Sequence, residues 1–428
     1  MKIYPLICLS LLCLLACKNE IHEETAFTAF SGARIIDGSG ATPIEDGVIL
    51  VQEDHIIAIG SREEVEIPEH SHVIDLTGKT IIPGLINGHG HVGDVKGISG
   101  GHYSAENLAE NLSIYATYGI TTVVSLGGDQ EEAVSFRHLN DKNPQNRSRL
   151  FIAGAVITGD TPAEAEKMIE ENHEMGVDFM KIRVDDNLGN ATKMPEEVYR
   201  AVIGRSHELG YKIATHSYYL EDSRKLLEAG SDLLAHSVRD LPVDESFVQL
   251  IKEKNVGYCP TLTRELSTYV YEDTAAFFSD PFFQKVYDKE TIQPLLDPER
   301  QANVAANSNA QTYKKQLPVA YANLKSLNDA GVPIVFGTDS GVPTRFMGYF
   351  EHLEMEMMAE AGMSPMEILV SATKNVAEYL ELEGLGTLAP GHYADFIILD
   401  ANPLEDIRNT REINEIYIGG NKVVERDK

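Results

Sequence analysis

The chain has 428 residues, 43% of them hydrophobic, enough to bury a large core, and this excludes a largely disordered protein. Acidic residues outnumber basic ones, 66 to 36, for a formal net charge of −30 at pH 7. A field of that sign excludes nucleic acid or an anionic membrane face as the main partner, and solubility is its plain explanation.

Residues 1–16 read as a cleaved signal peptide for export. Lys2 supplies positive charge, and Ile3 to Ala16 is apolar but short for a bilayer span. Leu14-Leu15-Ala16-Cys17 resembles the bacterial lipobox, whose cysteine becomes the lipidated first residue of the mature protein. Lys18 stands in place of the aspartate associated with inner-membrane retention. The resemblance therefore implies an exported lipoprotein of the bacterial cell envelope, on the outer membrane or cell surface, touching the membrane only through Cys17. Cys8 and Cys13 leave with the signal and only Cys259 remains besides the anchor, so no internal disulfide is expected. Residues 17–26 are polar and read as a tether.

From Phe27 to Ile82 short β runs alternate with turns: Phe27 to Phe30, Arg34 to Ile36, Val48 to Val51, His55 to Gly60, Val73 to Leu76 and Thr80 to Ile82. The same texture returns at Ala394 to Leu399, Ile413 to Ile418 and Val423-Val424. Residues 27–82 and 385–428 are therefore expected to form one β-sandwich domain built from both ends of the chain.

Between them, over residues 83–384, strands and helices alternate. The strand candidates are Leu85 to His91, Thr121 to Leu126, Leu150 to Ile157, Phe179 to Val184, Lys212 to Thr215, Leu233 to His236, Gly257 to Leu262 and Pro333 to Phe336. With helices between them, eight strands predict an α/β fold, a (β/α)8 TIM barrel. A doubly wound open sheet is the alternative. The barrel is preferred because His89, His91, Lys181, His216, His236 and Asp339 all lie at the C-terminal ends of strand candidates, which a closed ring brings to one mouth. The long connection over residues 264–330 is expected to be a lid or a dimer contact.

The chemistry begins at His89-x-His91, where side-chain alternation along a strand turns both imidazoles to one face. Four further candidates join them. The order His89-x-His91, Lys181, His216, His236, Asp339 on a barrel flanked by a split β domain resembles the amidohydrolase superfamily of metal-dependent hydrolases. Supporting stretches are Lys79 to Leu85, Ile334 to Ser340, Gly384 to Gly391 and Ala394 to Asp400. A lysine ending strand four is similar to the prolidase-like and imidazolonepropionase-like members, which carboxylate it.

That resemblance implies a site of two divalent metal ions, with zinc suited to imidazole and carboxylate ligands. His89, His91 and Asp339 would hold the buried ion, His216 and His236 the outer one, and carboxylated Lys181 both. An ammonium at Lys181 would be repelled by the cations and has no lone pair, whereas a carbamate is anionic with two oxygens. The implied reaction is amide hydrolysis of a small-molecule substrate, a dipeptide or N-acyl amino acid. Metal-activated hydroxide would be the nucleophile and Asp339 the catalytic general acid/base.

Substrate contacts are read from position. Arg183 shares the face of Lys181 and carries a fork suited to a carboxylate, although it could equally pair with Asp185 or Asp186. His102 lies in a Gly-rich loop after the first strand, and Tyr218, Tyr258, Arg239, Arg264 and His352 are weaker candidates. Lys181-Ile-Arg-Val-Asp-Asp186 departs from the apolar, Gly-Gly continuation usual in prolidase-like members, which puts Xaa-Pro dipeptidase specificity in question. Two other readings stand beside this one. The first is a mononuclear cyclic amidohydrolase or deaminase using His89, His91, His216 and Asp339 with Lys181 unmodified; the second is a non-catalytic surface binding protein. The resemblance also implies that homo-oligomers are common, with no fixed number.

Overall fold

The computed structural model describes residues 27–142 and 146–424. The signal, tether and Cys17 anchor expected at residues 1–26 lie outside the described residues. Strands run in chain order as β1 (Thr28–Ile35), β2 (Ile44–Gln52), β3 (His55–Ser61), β4 (His72–Asp75), β5 (Thr80–Pro83), β6 (Leu85–Gly90), β7 (Ile120–Ser125) and β8 (Arg149–Ile152). They continue as β9 (Met180–Arg183), β10 (Ile213–His216), β11 (Leu233–Ala235), β12 (Gly257–Cys259), β13 (Phe396–Leu399), β14 (Ile413–Ile418) and β15 (Asn421–Lys422).

The terminal runs pair with one another, in the order β15-β14-β13-β5-β1-β2-β3 with β4 beside β1. Hydrogen bonding joins these eight strands in a single branched sheet that encloses a core of its own, including Phe30, Ile49, Phe396 and Ile398, in keeping with the expected composite β-sandwich. The branch arises in β1. Its first half, Thr28 to Ser31, pairs with β4, and after Gly32, whose φ of 94° only glycine adopts freely, Arg34 and Ile35 pair with β5. β13 shows the two-residue period at work: Phe396 and Ile398 pack with Phe30, Ile49 and Val51, whereas Ile397 and Leu399 face the main core.

The central region forms two parallel sheets, β6-β7-β8 and β9-β10-β11-β12. Helices such as Ala105–Thr117, Pro162–Met175, Glu196–Glu208 and Leu220–Ala229 intervene between strands. Pro162–Met175 has the expected signals: a capping box between Thr161 and Glu164, proline in its first turn, and a left-handed Gly176 at its end. A continuous closed sheet is predicted; among the described residues one bridge, Ile157 to Ile182, joins the two sheets, and each sheet bridges the 333–340 segment, Tyr258 to Ile334 from one and Gly90 to Ser340 from the other. The predicted eighth strand, Pro333 to Phe336, forms no ladder. It nonetheless bonds to both neighbours: Pro333 O accepts from Tyr258 N–H and Val335 N–H donates to Tyr258 O on the β12 side, and Phe336 O accepts from Gly88 N–H on the β6 side, while Phe336 N–H donates to Ser371 O and Ile334 O accepts from Asn375 Nδ2. Residues 264–330 hold short turns and two longer helices, Pro298–Ala306 and Ser308–Asp329. Among the described residues no helix is long and apolar enough to cross a membrane.

Candidate metal centre

His89 is near the end of β6 and almost wholly buried, and His91 follows one residue beyond that strand. Asp339 meets both. Its Oδ1 is 2.8 Å from His91 Nε2 and 3.5 Å from His89 Nε2, while its Oδ2 accepts from Arg345 Nη1. The ligand atoms of His89, His91 and Asp339 all lie within 4.8 Å of one another. Lys181, on β9, is 3% exposed and brings Nζ to 3.4 Å from His89 Nε2, with no carboxylate partner among the described residues. The His236 ring lies 4.7 Å from that of His89 and 4.1 Å from that of His216, so the six predicted ligands converge.

Neighbouring acceptors decide which ring nitrogens are free. The Gly127 carbonyl, 2.8 Å from His91 Nδ1, can only accept, so this nitrogen carries a proton and Nε2 is the one turned toward Asp339 Oδ1. Asp185 does the same at His216, where its Oδ2 is 3.1 Å from Nε2 and leaves Nδ1 free. His236 Nδ1 is 2.7 Å from Thr261 Oγ1, and His89 Nδ1 is buried without a partner. This donor set fits a divalent cation: neutral imidazoles with free nitrogens, one carboxylate, and an incompletely bonded buried ring.

The electrostatics agree. Burial pushes His89 and His236 well below the usual histidine range and His216 down to about 3, so all three rings stay neutral near pH 7. Burial lowers the Lys181 ammonium to about 8. For Asp339 burial opposes the charge, but Arg345, with His91 and His89, holds the carboxyl well below its ordinary range. Asp185 is likewise held down by His216, Asn187 and Arg183 against the effect of burial. Strain is concentrated here as well. His236, Thr261 and Asp339 are non-glycine residues with φ of 76°, 46° and 58°, a backbone region costing about 1 kcal/mol or more each.

The substrate candidates separate. Arg183 is partly exposed and lies 3.5 Å from Asp185, the intramolecular pairing that the sequence leaves open. His102 is exposed beside Lys96, Tyr103 and Glu106, lining a cavity of about 680 Å³ that none of the six ligands lines. Tyr218 is buried, with its hydroxyl donating to Gln316 and its ring under Arg239. Tyr258 is a core residue whose hydroxyl accepts from Val238 N–H, and His352 is buried between Tyr118 O and Thr410. Three residues that support the centre carry no pattern in the sequence. Arg345 clamps Asp339, Glu351 Oε1 accepts from Asn87, Thr338 and Ser340, and Glu354 accepts from Leu262 N, Thr263 N and Thr263 Oγ1.

Comparison with known proteins agrees with this geometry. The amidohydrolase family model matches residues 80–423, and the chain belongs to that family. It is an enzyme, a hydrolase acting on carbon–nitrogen bonds, which sets aside the non-catalytic reading. A 5-methylthioadenosine/S-adenosylhomocysteine deaminase of Bacillus cereus is 23% identical over 89% of this chain and 90% of its own length. Among solved structures, a Bifidobacterium longum protein provisionally called a prolidase superposes with a TM-score of 0.76 and 25% identity, covering 93% of this chain and 95% of that one. A Xaa-Pro dipeptidase with bound methionine superposes with a TM-score of 0.74 and 22% identity, covering 93% and 99%.

Proposed function

We propose that the chain hydrolyses the amide bond of a dipeptide or N-acyl amino acid at a centre of two divalent cations, zinc being the best match to the ligands. The observation that carries this reading is the meeting of His89, His91 and Asp339 within 4.8 Å beside an unpaired lysine amine and two further imidazoles. The bridge between the two parallel sheets, and the bonds that tie both to the 333–340 segment, support a (β/α)8 ring, with residues 83–384 as the barrel and 27–82 plus 385–428 as the composite β domain.

In this reading His89, His91 and Asp339 hold one cation, His216 Nδ1 and His236 the other, and Lys181 joins both. Bound there, the cations would polarise the scissile carbonyl and acidify a water. The Lys181 amine would first add to carbon dioxide, forming an N–C bond and releasing one proton. Burial assists, because it enlarges the fraction of free amine. Arg345 engages Oδ2 of Asp339 and leaves Oδ1 facing the histidines. Oδ1 is then the atom that accepts a proton during attack and returns it to the leaving nitrogen.

One observation favours a second reading, a deaminase or cyclic amidohydrolase with one cation. Among the described residues only His89, His91 and Asp339 offer three ligand atoms in mutual reach, which accords with the deaminase name of the B. cereus relative. Metal analysis, together with turnover of dipeptides, N-acyl amino acids, lactams and aminopurines, separates the two. About two metals per chain, with bicarbonate-dependent activity lost in Lys181→Ala, supports the first. One metal and an indifferent Lys181→Ala overturns it in favour of the second. Export and lipid anchoring at Cys17 are part of the same proposal, and a Cys17→Ser protein that still partitions with membranes would refute the anchor.

A further inference from the structure

Beside the centre lies a cluster of charge that its own residues do not balance. Arg239, after β11, is fully buried, and Arg264, in the helix Leu262–Ser267, is 7% exposed. Both pair with the same carboxylate, Glu265. Arg239 Nε is 2.9 Å from Glu265 Oε2, and Arg264 Nη1 is 3.2 and 3.1 Å from its two oxygens. No other carboxylate forms an ion pair with either arginine among the described residues, so two guanidinium groups share one negative charge. Arg239 Nη2 and Arg264 Nε are buried without hydrogen-bond partners. Buried charge left uncompensated costs several kcal/mol, and an anion that completes the pairing removes that cost.

The cluster lies between the centre and a cavity whose wall includes Tyr313 but neither Arg239 nor Arg264. Arg345, which clamps Asp339, donates through Nε to Ser267 Oγ, and Ser267 Oγ donates to the carbonyl of Arg264. Arg264 is near enough to His216 and His236 for its charge to act on both rings. On the other side, the Tyr313 ring lies 4.7 Å from the Arg264 guanidinium and 5.6 Å from that of Arg239. Tyr313 also lines a cavity of about 770 Å³ together with Thr268, Arg300 and Asn307.

We propose that Arg239 and Arg264, with Tyr313 at the cavity wall, form an anion subsite that takes a carboxylate of the substrate next to the scissile bond. The guanidinium forks match the two oxygens of that group, and the missing negative charge is supplied by the ligand. This rests on the hydrolase reading above and assigns the residues that recognise the free carboxylate its substrates carry. It places specificity on the segment after β12 and removes it from Arg183.

Calorimetric binding of 4-oxopentanoate, the carbon analogue of N-acetylglycine with no scissile amide, and of its uncharged 4-oxopentanamide to the metal-loaded protein tests the subsite without requiring turnover. The acid is expected to bind at least ten-fold more tightly than the amide, and Arg264→Met to lose that preference while metal content and amide binding hold. Where Arg264→Met does not fold, Arg264→Lys keeps the charge without the fork and is expected to weaken acid binding by a similar factor. Equal affinity for the two ligands, absence of saturable acid binding, or a preference that survives substitution of Arg264 overturns the proposal. Metal number and the Lys181→Ala result judge the hydrolytic reading separately, so failure of one is not read as failure of the other.

Discussion

Asp395 and Arg149 form a buried bidentate pair, with Nε to Oδ2 at 2.7 Å and Nη2 to Oδ1 at 3.0 Å, across 246 residues of chain. Asp395 precedes β13 and also accepts from Gly419 N–H, whereas Arg149 opens β8 and stacks on Tyr393. The pair therefore ties the terminal sheet to the central one. Asp395→Ala removes the carboxylate that balances the buried guanidinium, and a loss of about 3 kcal/mol or more is expected in urea unfolding. A loss below about 1 kcal/mol would mean that the pair is dispensable.

His352 predicts an acid limb of stability. Burial lowers its folded pKa to about 3, and both ring nitrogens are bonded, to Tyr118 O and Thr410 Oγ1. As pH falls below the ordinary value of 6.5, the unfolded chain binds a proton here and the folded chain does not. Stability present above pH 6.5 is thus lost progressively toward pH 3. In His352→Gln the unfolding free energy is expected to start lower but to fall less steeply across that window.

Gly341 sits where a side chain cannot. A Cβ there would lie 1.9 Å from the carbonyl oxygen of His91, and its φ is 85°. Gly341→Ala must displace the backbone that carries His91, so bound metal and kcat are expected to fall together. Elemental analysis beside steady-state rates gives the answer, and an alanine variant with full metal content would contradict it.

Glu351 is the shared acceptor behind Asp339, with Asn87, Thr338 and Ser340 all 2.6 Å from Oε1. Glu351→Gln keeps the shape but exchanges a carboxylate for an amide. A kcat loss of roughly ten- to hundred-fold is expected with KM little changed, because the residue positions Asp339 and does not reach substrate. Should KM rise while kcat holds, Glu351 acts on binding instead.

Much of this site was legible because its chemistry sits at the ends of apolar runs. His89 and Lys181 lie within strands and His91, His216 and His236 close or follow one, and period-two alternation aims them without knowledge of the rest. Arg345, Glu351 and Glu265 were not legible. They reach the centre from a loop and from helices, where no periodicity distinguishes a supporting carboxylate from an ordinary one. The tight turns at His236 and Asp339 were equally hidden, since strain at a non-glycine residue depends on tertiary contacts and leaves no local mark. The terminal strands were legible in place, but the branching of their sheet was not, because the kink of β1 at Gly32 sends its two halves to different partners.

The pairing of β5 with β13 bears on how the molecule is made. Lys79 Nζ meets Asp400 at 2.5 Å across 321 residues, so the sheet edge that begins near the start of the chain stays unpaired until nearly all of it has left the ribosome. Contacts so distant in sequence close late and slowly. During synthesis the central helices and parallel strands can assemble first, with an open β edge exposed to chaperones until the tail arrives to cover it.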